Sequence, residues 1–157
     1  MKKTKKRAFD AAGVERIIAH LRQVYAKGFR RLGGQQRPSF IIFRPNRPVE
    51  ALYGRVMDEW ATRRSLWRQL EQRLERGEDV IIASVAEIWH VGRILRPGEP
   101  MPDVLPSSCP DREESLMVAG RWRGGAFHWL APIIRREHGE PVLGKWVRQE
   151  FDRCDFF

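Results

Sequence analysis

Apolar residues recur at three- and four-residue spacing from Phe9 to Leu32, at Val14, Ile17, Ile18, Leu21, Val24, Tyr25 and Phe29. That spacing gathers them into one stripe of an α-helix. Asp10 stands where an N-cap belongs, Glu15 falls near the first turn, and Gly33-Gly34 supplies the stop. The outer face of this helix carries Arg16, Arg22, Lys27, Arg30 and Arg31. The next segment, "SFIIFRPN" (39–46), reads as a short buried strand closed by a Pro-Asn turn. Pro48 suits the first position of a second helix. Its stripe is Val49, Leu52, Tyr53, Val56, Met57, Trp60, Trp67, Leu70 and Leu74, and it runs to about Arg76 before Gly77. Arg63-Arg64 breaks the stripe where an apolar residue is due, which predicts a bend or an arm leaving the core.

From residue 79 the period changes. "DVIIASVAEIWHVG" (79–92) is a continuous, β-branched apolar run and predicts a central strand. A proline-rich stretch follows, with Pro97, Pro100, Pro102, Pro106 and Pro110. Connections of that length inside a compact domain are commonly functional or disordered. Three further strands are predicted: "SLMVAGRW" (115–122), "AFHWLAPIIRRE" (126–137) and "PVLGKWVRQ" (141–149). Arg123-Gly124-Gly125 and His138-Gly139-Glu140 form the tight hairpin connections between them. The order α-β-α-β-β-β-β predicts an α+β fold: an antiparallel four- to five-stranded sheet with two long helices packed on one face.

Charge adds an arm to this picture. The chain of 157 residues has a formal net charge of +9, and Lys2, Lys3, Lys5, Lys6 and Arg7 supply five of those charges at its start. The expected organisation is therefore a flexible basic arm over 1–8 and one α+β domain over 9–157. No apolar segment follows the basic run, which argues against a secretory signal. No stretch approaches the roughly 18 apolar residues of a membrane span. The expectation is a cytoplasmic protein with no membrane partner. Outside the arm the cations are arginines apart from Lys27 and Lys145. Arginine is the better bidentate partner of phosphates and carboxylates, although a GC-rich genome yields the same bias. The six tryptophans are suited either to a core or to a contact surface.

Several chemistries are disfavoured. Cys109 and Cys154 lack CxxC spacing, and His20, His90, His128 and His138 form no ligand-spaced pair with them or with one another. Free thiols are expected, with no cofactor. Pro102-Asp103 and Pro110-Asp111 resemble the start of a PD-(D/E)xK nuclease motif. That motif also needs an acid and a lysine two residues on to hold a metal and polarise water. The downstream strands contain no Glu-x-Lys or Asp-x-Lys. Cys109 precedes a proline rather than opening a helix, and there is no G-x-S-x-G, phosphate loop or H-E-x-x-H. The remaining enzymatic alternative is a metal-dependent hydrolase built on Glu87, Asp111, Glu113, Glu114 and His128. It requires those side chains to converge.

Glu87 shares the strand face of Ile81, Ala83, Val85 and Trp89. A carboxylate there must be paired or lie at the end of the sheet. The structural reading pairs it with Arg112, Arg121 or Arg135; the functional one makes it an acid of raised pKa beside Trp89 and Trp129. "GRWRGG" (120–125) sets Trp122 between Arg121 and Arg123 at a hairpin, and "GKWVRQEF" repeats that flavour around Trp146. Aromatics flanked by arginine can stack on bases and hold phosphates. Strand alternation alone would give inward tryptophans and solvated arginines.

"VAEIW", the proline-rich loop, "PSSCPDREESLMV", "APIIRRE" and "VLGKW" resemble a loosely defined group of small uncharacterised bacterial and phage-encoded proteins. The resemblance covers roughly residues 80–146. It implies a shared sheet with a loop of related sequence and points to Glu87, Trp89, Asp111, Arg112, Glu113 and Glu114, of which Glu87, Asp111, Arg112, Glu113 and Glu114 are expected to form a structural polar cluster. It implies no activity. A phage or mobile-element setting favours a binder over an enzyme by association. The expected function is a non-catalytic binding or regulatory protein, whose partner is nucleic acid or a host or defence ribonucleoprotein complex that it inhibits. Its binding residues would be Arg22, Arg30, Arg31, Arg63, Arg64, Arg121, Trp122 and Arg123.

Overall fold

The computed structural model of the chain describes residues 8–91 and 112–149. Most of the expected basic arm, most of the proline-rich loop, Cys109, Asp111 and Cys154 lie outside them.

Helix α1 spans Ala11–Arg31, and the Asp10 side chain caps it by accepting a 2.7 Å hydrogen bond from the Gly13 N–H. At its other end Gly33 and Gly34 adopt φ of 67° and 79°, and the Gly34 N–H closes on the Phe29 carbonyl at 2.8 Å. This is the left-handed stop that glycine permits. The stripe read from the sequence is the one buried: Val14, Ile18, Leu21 and Phe29.

Strands β1 (Ser39–Phe43), β2 (Glu50–Leu52), β3 (Ile81–Val91), β4 (Arg112–Trp122), β5 (Gly125–Ile134), β6 (Val142–Leu143) and β7 (Val147–Arg148) form one antiparallel sheet. Its order is β2-β1-β3-β4-β5-β6, with β7 also on β5. Among the described residues the expected four to five strands become seven, for two reasons. The 141–149 segment is one edge interrupted by a bulge: Leu143 pairs with Ile133 and Val147 with Leu130, so three residues oppose two. Pro132, which has no N–H to give a neighbour, sits at that interruption, and its carbonyl accepts from the Gly144 N–H at 2.7 Å.

The second reason is residues 48–59, where the predicted helix is absent. The chain turns at Asn46 (φ 56°), returns along β1 as β2, and passes Gly54 (φ 92°) into a single 3-10 turn, Arg55–Met57. Helix α2 begins only at Trp60 and runs to Glu75. Val49, Tyr53 and Val56, spaced as helix-core positions, are exposed, whereas Met57 is fully buried.

The helices cover opposite faces of the sheet, which corrects the expectation of one shared face. On the α1 face, Val14, Ile18 and Phe29 pack with Ile41, Ile81, Ala83, Val85, Leu116, Val118 and Phe127. On the α2 face, Trp67, Leu70 and Met57 pack with Phe40, Ile42, Val80 and Ile82. The Trp67 ring meets Phe40 at 5.2 Å and 58°, a tilted aromatic pair. Strands β1 and β3 are apolar on alternate residues of both phases, so both faces need a cover. Further along the α2 face lies a smaller cluster of Met117, Ala119 and Leu130 with Ile88 against it, beyond the α2 core.

Candidate functional site

Strand register decides which polar side chains can meet. Glu87 pairs opposite Leu116 and Trp89 opposite Glu114, which sets Glu87, Trp89, Arg112 and Glu114 on the α1 face. Glu113 opposes His90, and His128 opposes Ala119, so both belong to the α2 face. The hydrolase constellation is thus split across the sheet, with Glu87 and Glu114 on one side and Glu113 and His128 on the other. No three metal-ligating side chains gather among the described residues. Asp111 lies outside them.

Around Glu114 the polar side chains are arranged as follows. Arg135 Nε donates to Glu114 Oε2 at 2.6 Å, and the Arg112 guanidinium lies 4.7 Å from the Trp89 ring centroid. Glu87 stands beside this pair, half-buried. Burial pushes its carboxyl above the ordinary range; the Gln36 backbone N–H and the charge of Arg135 oppose this, and the charge of Glu114 adds to it. Of the three arginines considered as its partner, Arg135 is the one that acts on it. Arg121 is on the other face, where it donates to Glu71 of α2 at 3.0 Å.

The eight expected binding residues do not form one surface. Arg22 lies against the sheet, its guanidinium 3.7 Å from the Trp129 ring centroid, and burial lowers its pKa. Trp122 packs on the α1 core and contacts Gly124. Arg30 and Arg31 are exposed at the end of α1. Arg123 is exposed at the β4–β5 turn, beside the start of β3. The start of α1 is tied to that same end, since the Phe9 N–H donates to Asp79 Oδ2 at 3.1 Å. Arg30 and Arg31 are therefore removed from the hairpin by the length of α1, about 30 Å at 1.5 Å per residue.

Arg63 and Arg64, which interrupt the apolar stripe, have separate tasks. Arg63 Nη1 donates to the Met57 carbonyl at 2.6 Å and the Asp58 carbonyl at 3.2 Å. It thereby ties the 3-10 turn to α2. Arg64 is half-buried, and its guanidinium lies 5.1 Å from the ring centroid of Trp60, a residue that is 52% exposed. Trp60, Arg64, Arg68 and Gln72 follow at four-residue spacing and line an open groove with Ser65 and Gln69. Among the described residues neither Arg64 nor Arg68 forms an ion pair. Trp60 and Arg68 were not on the expected list, because a helix starting at Pro48 makes Trp60 a core position; the W-x3-R-x3-R spacing is the signal that could have found them.

Trp60 also borders a second, more enclosed hollow of about 340 Å³ between the start of α2 and the sheet. Its surroundings include Arg63, Ala86, Glu87, Ile88, Met117 and His128, so Glu87 and His128 both border it although their strand phases differ. Burial, helped by the charge of nearby His90, lowers the His128 pKa from 6.5 to about 4. The imidazole is therefore neutral at physiological pH. His90 Nε2 lies 2.9 Å from the Ser115 hydroxyl on the same face. No helix among the described residues is long and apolar enough to cross a membrane. No protein-family model, curated protein or solved structure matches the chain.

Proposed function

We propose that this protein is a non-catalytic binding module that holds single-stranded nucleic acid, free or exposed on a nucleic-acid-handling complex, along the outer flank of α2. The observation that carries the reading is the exposed Trp60 ring with Arg64 stacked beside it and Arg68 one turn on. An indole offers a face to any base, and guanidiniums one helical turn apart can each take a phosphate. The formal charge of +9 favours approach of a polyanion. Arg121 belongs to the support of this flank, because its ion pair with Glu71 ties α2 to β4.

The test is retention of a labelled single strand across a salt series. Binding is expected at low salt and lost steeply as salt rises, with each phosphate contact contributing roughly 0.7 to the logarithmic slope. Replacing Arg64 and Arg68 by glutamate should reduce that slope by about 1.4. If neither single-stranded DNA nor RNA is retained at low salt, the nucleic-acid reading falls, and the α2 flank is to be tested against protein partners.

A further inference from the structure

The outer face of α1 carries cations and no acid. Between Glu15 and Glu50 the sequence contains no aspartate or glutamate and eight lysines and arginines. Two of the eight are occupied: Arg22 lies over Trp129, and Arg44 pairs with Glu50. Arg16, Lys27, Arg30 and Arg31 are exposed, and among the described residues none of them is in an ion pair. We infer that this face is a second nucleic-acid site, which holds the phosphodiester backbone of a duplex while α2 holds a single strand. The α1 site stands without the α2 reading; only the simultaneous holding of two ligands rests on it.

At 3.6 residues per turn, Arg16, His20, Gln23, Lys27, Arg30 and Arg31 fall within a sector of about 100°. The buried residues Val14, Ile18, Leu21 and Phe29 occupy the opposite sector. From Arg16 to Arg31 the stripe runs roughly 22 Å at 1.5 Å per residue. The one acid of α1, Glu15, lies outside the stripe and accepts from Arg148 at 3.2 Å. Asp10 is taken up as the cap, and Glu140 lies against Gly33 beyond the helix end. Lys27 has Arg30 and Arg31 at three- and four-residue spacing, where like charges repel and weaken a helix. The packing of α1 needs none of these charges, and a bound polyanion relieves their repulsion.

The make-up of the stripe selects the kind of polyanion. It contains no aromatic residue to match Trp60 on α2, so unstacked bases gain nothing there. What attracts is charge density, and a duplex carries about one phosphate per 1.7 Å of its axis, twice the density of either strand. A membrane surface would need an apolar helix face to insert, and that face of α1 is packed on the sheet. Because α1 and α2 cover opposite faces of the sheet, a ligand on one helix leaves the other open.

The experiment measures retention of a short, labelled, blunt duplex by the intact protein across a salt series. A variant combining Arg16→Gln, Lys27→Gln and Arg31→Gln should lose about 2.7 from the logarithmic salt slope, roughly 0.9 for each phosphate contact. Its melting temperature should not fall, since the exposed charges it removes repel one another. A variant combining Arg64→Glu and Arg68→Glu should hold the duplex as the wild type does. A donor-labelled duplex and an acceptor-labelled single strand should show energy transfer on the wild-type protein and lose it on either variant. No duplex retained by the wild type at low salt overturns the inference, needs no variant to fold, and leaves the α2 reading to its own test. An unchanged salt slope in the α1 variant overturns it too. Duplex retention without single-strand binding keeps the α1 site and overturns the α2 reading; both ligands bound without energy transfer overturns their simultaneous holding.

Discussion

His128 makes the stability of this fold depend on pH in a calculable way. It sits on β5 opposite Ala119, facing the α2 side, and the folded state holds its pKa near 4 against an ordinary 6.5. Above pH 6.5 the imidazole is neutral in both folded and unfolded chains and contributes no pH dependence. As the pH falls below 6.5 the unfolded chain takes up a proton that the folded chain refuses, so stability is lost until about pH 4. A difference of roughly 2.5 pKa units corresponds to at most about 3 kcal/mol. The ring is only part-buried, so solvent screening brings the expected loss to about 1–2 kcal/mol. The measurement is urea unfolding, followed by tryptophan fluorescence, from pH 7 to pH 4 for the wild-type protein and His128→Phe. Phenylalanine keeps the ring and cannot take the proton. The variant's stability should therefore fall less across the window, by that 1–2 kcal/mol. Glu87 acts in the opposite sense: its raised pKa lets the folded state take up a proton first, so it favours folding as the pH falls. It is common to both proteins and cancels in the comparison. Parallel curves for wild type and variant between pH 6.5 and 4 would refute the assignment.

Two other substitutions probe the sheet. Glu87→Gln removes a carboxylate whose ionised form burial disfavours, so the urea midpoint should rise at pH 7. That advantage should shrink as the pH falls and the native carboxyl becomes protonated; a gain that grows on acidification would contradict it. Gly120→Ala would bring a Cβ against the Ile82 carbonyl and within 2.6 Å of the Phe127 ring. Overpacking of this kind costs about 1–3 kcal/mol, and the melting temperature should drop by roughly 2–12 °C. An unchanged melting temperature would mean that the strands do not approach so closely at this point.

The parts of the fold legible in the sequence are those in which local pattern and burial agree. Helix α1 is one: its stripe, its Asp10 cap and its Gly33-Gly34 stop each have a short-range cause. Strand β3 is another, since an unbroken run from Val80 to Ala86 is buried on both faces. Residues 48–59 misled for a physical reason. Val49, Leu52, Tyr53 and Val56 have helical spacing, yet β2 gains hydrogen bonds from β1 and Gly54 turns the chain before α2 begins. Propensity and period see neither that pairing nor the true start of the helix. The error carried into the site, because it concealed Trp60 as an exposed residue.

The sequence by itself determined the α1 stripe, the α+β class, the β4–β5 hairpin and the excess of arginine. Only the tertiary structure decided which cover goes where. A helix stripe specifies that one side must be buried, but β3 offers an apolar face on each side, and the assignment of α1 and α2 to opposite faces rests on packing. Parity within a strand separates Glu113 from Glu114. Parity between strands is set by pairing register, which put Glu87 and His128 in opposite phases although both border the hollow beside Trp60. The same registers set Ala86 and Ser84 beside Met117 and Ala119 on the α2 face, where all four are buried. The hollow beside Trp60 is thus a product of long-range pairing, and no local pattern announces it.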